Sequence, residues 1–281
     1  MCGADETRLE NGLQGRTGLR PGRIGIDAVS MPDRPVLEIS PGWMNAAGFL
    51  GFAPPAEASW LPAAPVAFVT NPISYSQRAP ATERGCSAYP GGFILHTGWP
   101  NPGFSKVTEL YESRWAHASL PVWVHLLADR LHEVDRMVRT LEEIDGVAAI
   151  EISLPPAADS DLKLQLVEAA LGELPLVLCV PLDQVAASWV GQAVQAGISA
   201  ICLSAPRGVI PDSGGGFIRG RMMGPGIFPL ALQTVSCLRG YEIPLIAGCG
   251  VYAQKDLESL LAAGAAAVQL DAVLWRGWES L

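Results

Sequence analysis

Residues 244–251 read Pro-Leu-Ile-Ala-Gly-Cys-Gly-Val, and residues 266–272 read Ala-Ala-Val-Gln-Leu-Asp-Ala. Each is a short apolar run, the first ending in a glycine-rich turn and the second in an acid. A helical pattern over 254–263 lies between them, and Gly-Pro-Gly-Ile-Phe-Pro at 224–229 opens another helix just before. Helix, strand, helix, strand is the pattern of parallel strands covered by helices. A glycine turn at a strand's carboxyl end is where such folds hold phosphates on backbone N–H groups.

Upstream, the same alternation predicts six further strands, at 36–39 running on to 45, 66–70, 122–125, 148–153, 176–180 and 200–203, which with 245–247 and 268–271 make eight. The intervening stretches show a 3.6-residue period; over 129–144, Leu131, Val134, Met137, Val138, Leu141 and Ile144 share one face. Eight strand and helix units imply a single (β/α)8 barrel of class α/β, a TIM barrel. Residues 1–22 are expected to form a flexible tail and 23–281 the barrel. Two segments break the period, 74–103 and 205–223, and both are expected as excursions over the carboxyl-terminal mouth, where long irregular segments serve as lids or binding loops.

Composition narrows the function. The chain has 281 residues, a formal charge of -9 and no basic run, so a nucleic-acid surface is not expected. No apolar run reaches the roughly 20 residues of a membrane span, and the start is polar. The six cysteines show no Cys-x-x-Cys spacing and read as reduced thiols of a cytoplasmic protein. Small-molecule partners fit this composition.

The order of segments resembles the dihydroorotate dehydrogenase family of flavin-dependent barrels. Residues 224–232, Gly-Pro-Gly-Ile-Phe-Pro-Leu-Ala-Leu, look like its Gly-Pro-Ala-Leu-Lys-Pro-x-Ala-Leu helix start. The 244–251 run is similar to its Pro-Ile-Ile-Gly-x-Gly-Gly-Ile phosphate turn. Residues 261–270 resemble its closing Leu-x-Ala-Gly-Ala-x-x-Val-Gln-Val, Asn45-Ala46-Ala47-Gly48 its Ala-Ser-Gly turn, and residues 99–103 its Leu-x-Asn-x-Gly. The resemblance implies FMN across the strand ends, a substrate under the 74–103 excursion and a homodimer. The cofactor-binding positions it implies are Ala47, Gly48, Asn71, Cys179, Ser204, Gly224, Cys249, Gly250, Asp271 and Ala272.

This chain departs from the family where its chemistry lies. Cys179 stands in place of a lysine, and a thiol supplies no fixed cation. Asn71 falls near a second lysine. Glu151 takes the place of an amide, Leu154 that of the base, and Ser153 is one residue off. His96 replaces a hairpin asparagine. Cys249 replaces one glycine of the phosphate turn and Asp271 another at the last strand's end. An acid about 4 Å from a phosphate costs on the order of 4 kcal/mol at an effective dielectric of about 20.

Two readings follow. One is a divergent FMN oxidoreductase acting on a small cyclic or carbonyl substrate, with dihydroorotate itself not expected. The other is a flavin-free relative, either a proton-transfer enzyme or a subunit that binds a ligand or partner without turnover. The catalytic candidates are Glu151, Ser153, His125 and His96. His125 with Glu151 reads as a base and its orienting acid, as metal ligands, or as an interior histidine beside an acid that pairs with an arginine such as Arg78. No histidine pair at ligand spacing supports a metal, and none is expected. Cys249 reads either as a thiol activated by the next helix or as a buried inert one. Arg78, Arg84, Arg207, Arg219 and Arg221 overhang the mouth as candidate anion contacts, and Trp99 and Tyr89 are candidates for stacking on a flat ligand.

Overall fold

Runs such as Val-Trp-Val-His-Leu-Leu, buried at every position, have no polar face to give to water. They can only be strands covered on both sides, and parallel strands with helical crossovers provide that cover. The computed structural model describes residues 35–55, 65–82, 85–211, 215–239 and 243–277. The expected tail lies outside these, as do Arg84 and Gly214.

The first strands are β1 (Trp43–Asn45) and β2 (Phe68–Val69), followed by a hairpin of β3 (Gly85–Tyr89) and β4 (Gly92–His96). Regular alternation then sets in with α1 (Phe104–Ala116), β5 (Val122–Leu127), α2 (Leu131–Glu142), β6 (Val147–Ser153), α3 (Ser160–Glu168), β7 (Leu176–Pro181), α4 (Ser188–Ala196) and β8 (Ala200–Ser204). A second hairpin, β9 (Arg207–Pro211) and β10 (Phe217–Met223), interrupts it. The chain closes with α5 (Phe228–Leu238), β11 (Leu245–Gly248), α6 (Gln254–Ala263), β12 (Ala267–Leu270) and α7 (Val273–Arg276).

Eight of these strands pair in the order β1-β12-β11-β8-β7-β6-β5-β2, all parallel. The result is a (β/α)8 barrel. Its seam lies between β1 and β2, where the buried Asn45 side chain stands in for a strand. Asn45 Nδ2 donates to the Val69 carbonyl at 2.5 Å, and Val69 N–H donates to Asn45 Oδ1 at 3.0 Å. One main-chain bond, Val66 N–H to the Trp43 carbonyl at 2.9 Å, completes the closure.

Two expectations change. Residues 36–39 are not a strand, and Val36 is 80% exposed; the first strand begins only at Trp43. The helix expected over 129–144 is shorter, because Asp129 pairs with Arg78 and leaves Arg130 at the cap without a side-chain bond. The two excursions are not separate lids. Their hairpins join as one antiparallel sheet, β3-β4-β10-β9, with Arg221 opposite Leu95 and Met223 opposite Phe93. This sheet roofs the carboxyl ends of β5 to β8.

Candidate active site

Strands β5 and β6 run in register with His125 opposite Glu151, and both side chains are buried in the barrel, at 2% and 0% exposure. Buried charges must be paired. His125 Nδ1–H donates to Glu151 Oε1 at 2.6 Å, and Gln269 Nε2 on β12 donates to Glu151 Oε2 at 2.5 Å. Both oxygens of the acid are therefore committed.

Cys179, from the neighbouring β7, completes a cluster in which one ligand-type atom each of His125, Glu151 and Cys179 lies within 4.8 Å of the others. Burial alone would lower the imidazole pKa, but the nearby Cys179 sulfur and the hydrogen bond to Glu151, with the negative charge of both, outweigh it and raise it to about 9. The thiol moves the other way. The Cys202 thiol, opposite it in register on β8, lowers its pKa; burial and the Glu151 charge oppose this, and the imidazole adds to it. The Cys202 thiol is pushed well above its ordinary value by the same contact and by burial.

Two connected chambers open from this cluster. The outer one, about 280 Å³, lies under the hairpin roof and is lined by Arg78, His96, Trp99, Cys179, Arg207 and Arg221. The inner one, about 60 Å³, reaches His125, Glu151, Gln269, Cys249 and Asp271. Ser153, Cys179, Ser204, Trp99 and Arg221 line both. Trp99 stands edge-on to the His125 ring at 5.9 Å and carries the Arg221 guanidinium over its face at 4.6 Å. Burial lowers the Arg221 pKa to about 10, an effect that the Asp271 charge resists.

Asp271 ends the inner chamber. Burial raises its pKa to about 6; the N–H groups of Ala272, Gly250 and Val273 and the Arg221 charge pull against that shift. None of those N–H groups reaches hydrogen-bonding geometry, so both carboxylate oxygens are buried without a partner among the described residues. FMN, which the sequence resemblance implies, does not fit these residues. An acid faces the N–H groups that a phosphate would need, the inner chamber has room for about two water molecules, and Cys179 replaces the expected cation. The glycines have other reasons to be present. A Cβ on Gly250 would meet Phe228 N at 2.5 Å, and one on Gly224 would meet Gly92 Cα at 2.4 Å.

Other expected positions fall elsewhere. Asn71 does not line either chamber: its Oδ1 accepts Gly51 N–H at 3.1 Å, tying down the loop after β1. Ala47 lines the inner chamber, whereas Gly48, Gly224, Gly250 and Ala272 do not; Gly250 and Ala272 contribute N–H groups beside Asp271. His96 stands on the outer wall, apart from the His125 cluster. Cys249 is buried, and burial and the Asp271 charge raise its pKa well above the usual value, so it is the inert thiol. Arg78 pairs with Asp129 rather than Glu151. Tyr89 donates to the Met223 carbonyl at 3.2 Å and fastens the hairpins together. Among the described residues no helix is long and apolar enough to cross a membrane.

Comparison with known proteins agrees with this geometry at the level of fold and sequence pattern. No family model matches the chain. The catalytic subunit of dihydroorotate dehydrogenase B (NAD(+)) from Pyrococcus furiosus is 26% identical over 209 residues, covering 66% of this chain and 67% of that protein. The corresponding subunit from Desulforudis audaxviator is 25% identical over 227 residues, 72% of each chain. Among solved structures, the Eimeria tenella dihydroorotate dehydrogenase in complex with ferulenol superposes with a TM-score of 0.58 at 14% identity, covering 84% of this chain and 77% of that one. The chain is thus a barrel divergently similar in sequence to dihydroorotate dehydrogenase B catalytic subunits and in fold to a solved dihydroorotate dehydrogenase.

Proposed function

We propose that this barrel is a flavin-free enzyme that moves a proton on a small cyclic or carbonyl substrate held in the outer chamber. The observation that carries this reading is the thiol, imidazole and carboxylate cluster of Cys179, His125 and Glu151. A base needs a proton path and an orienting partner. Glu151 fixes the imidazole and stabilises its protonated form, and the lowered thiol is the group that lines the chamber. Cys179 as thiolate takes a proton from a carbon beside the substrate carbonyl. The guanidinium of Arg221 sits where it would stabilise the negative charge left on the carbonyl oxygen, and the His125 imidazolium returns a proton through the thiol. Ser153 and Ser204 line the same space and orient substrate.

Alkylation by iodoacetamide, followed peptide by peptide, tests the thiolate without knowledge of the substrate. Cys86 and Cys237 are exposed and serve as internal references. The Cys179 profile should lie at lower pH than theirs, and Glu151→Gln should move it upward. A Cys179 profile that coincides with that of Cys86 would remove the relay.

A second reading, an FMN oxidoreductase, is favoured by the named relatives and by the three N–H groups that converge at the end of β12. Its sign is a flavin absorbance band in the purified protein or on addition of FMN. Colourless protein that leaves added FMN free supports the first reading.

A further inference from the structure

Arginines dominate the outer chamber, and one of them, Arg221, also reaches the inner one. Arg78, Arg207 and Arg221 wall the outer one. Arg78 is engaged with Asp129 and Arg221 lies over Trp99, whereas the Arg207 side chain makes no hydrogen bond or ion pair among the described residues. The inner chamber ends on an acid. Four buried side-chain atoms lack a hydrogen-bond partner among the described residues: Trp43 Nε1, His125 Nε2 and the two oxygens of Asp271. Three of the four belong to residues lining this one small space. An unmatched buried polar group costs about 1–3 kcal/mol, and such a cluster at the bottom of an open chamber is explained when a ligand supplies the missing partners.

Glu151 is not the acceptor, because both its oxygens are taken by His125 and Gln269. Asp271 is, and it forms no ion pair with Arg221 within 4.0 Å. A ligand carrying only a carboxylate would leave Asp271 bare, and one with a phosphate at the inner end would meet it with like charge. We propose that the mouth binds a small zwitterion, its carboxylate on Arg207 and Arg221 and its ammonium or equivalent N–H donor on Asp271. This rests on reading the chambers as the substrate site, and it names the substrate class for the relay described above.

Isothermal titration calorimetry of the full chain with straight-chain amino carboxylates, from glycine to 6-aminohexanoate, tests the inference, with butyrate and n-butylamine as single-charge controls. At least one amino carboxylate should bind about tenfold or more tightly than either control. Asp271→Asn should reduce it to the affinity of butyrate, and Arg207→Gln should bring it towards that of n-butylamine, with circular dichroism confirming that both variants fold. The bound amino carboxylate should also protect Cys179 from iodoacetamide. Equal binding of zwitterion and controls, no binding by the series, a preference that survives Asp271→Asn, or an unprotected Cys179 each overturns the proposal. Zwitterion binding that protects Cys179, together with an unshifted Cys179 profile in the free protein, leaves the ligand site standing and removes the proton relay instead.

Discussion

Asp271 shows how one side chain redirects a site. Its carboxyl titrates near 6 in the folded chain against an ordinary 3.8, so folding favours the protonated form. The resulting penalty is absent below about pH 3.8, builds up to about 6 and is complete above that. In urea melts, the stability difference between Asp271→Asn and the parent should therefore shift by roughly 2 kcal/mol in favour of the variant from pH 4 to pH 7.5. A difference that does not change with pH would show that Asp271 is not held in this environment. His125 adds to the same trend at higher pH, as a stabilisation lost rather than a penalty gained. Its folded pKa, near 9, lies above the ordinary 6.5, so its stabilisation is full below pH 6.5 and is lost as pH rises through 9. His125→Gln should flatten the alkaline limb of the stability profile; an unchanged limb would remove the ion pair with Glu151. Cys249 belongs to this scale too, as a non-glycine residue at φ 65 in a turn that glycine would adopt freely, at about 1–2 kcal/mol of strain.

At the scale of elements, the barrel seam is the weak point and Asn45 the device that closes it. β1 and β2 have 3 and 2 residues, too few for a regular ladder, so a side-chain amide bonds both main-chain groups of Val69. Asn45→Ala would leave a buried N–H and a buried carbonyl unmatched, at about 2–4 kcal/mol in total. Hydrogen exchange at Val69 should accelerate with it; unchanged protection would show that main-chain pairing alone closes the seam. The adjacency of β5, β6 and β7 does as much for chemistry. Parallel register places His125 beside Glu151 and Cys179 beside Cys202, although the sequence separates the first pair by 26 residues.

For the whole molecule, the two hairpins act as one roof only because β4 and β10 pair, and the glycines between them let the backbones touch. Gly224 sits at φ 118 with Gly92 Cα 2.4 Å from its missing Cβ. Gly224→Ala should prise β10 from β4, lower the melting temperature and loosen Trp99 and Arg221 together, which tryptophan fluorescence would report; a variant with parental melting and emission would refute the shared roof. The barrel was legible in advance because burial on both faces writes apolar runs at regular spacing, and His125, Glu151, Ser153 and Asp271 were legible as polar groups ending such runs. Residues 36–39 misled because Leu37 and Ile39 pack on the barrel from an irregular segment, which an apolar run fits as well as it fits a strand. The pairing of the hairpins, the joining of Cys179 to His125, the diversion of Asn71 to Gly51 and the orphaned carboxylate of Asp271 were not legible. Sequence by itself determined the alternation of buried strands with helices and the departure from the residues of the family it resembles, since periodicity and residue type are local properties of the chain. Tertiary structure alone decided which polar groups meet and which stay unmatched, because hydrogen bonding and burial depend on distances that barrel closure sets between residues far apart in sequence.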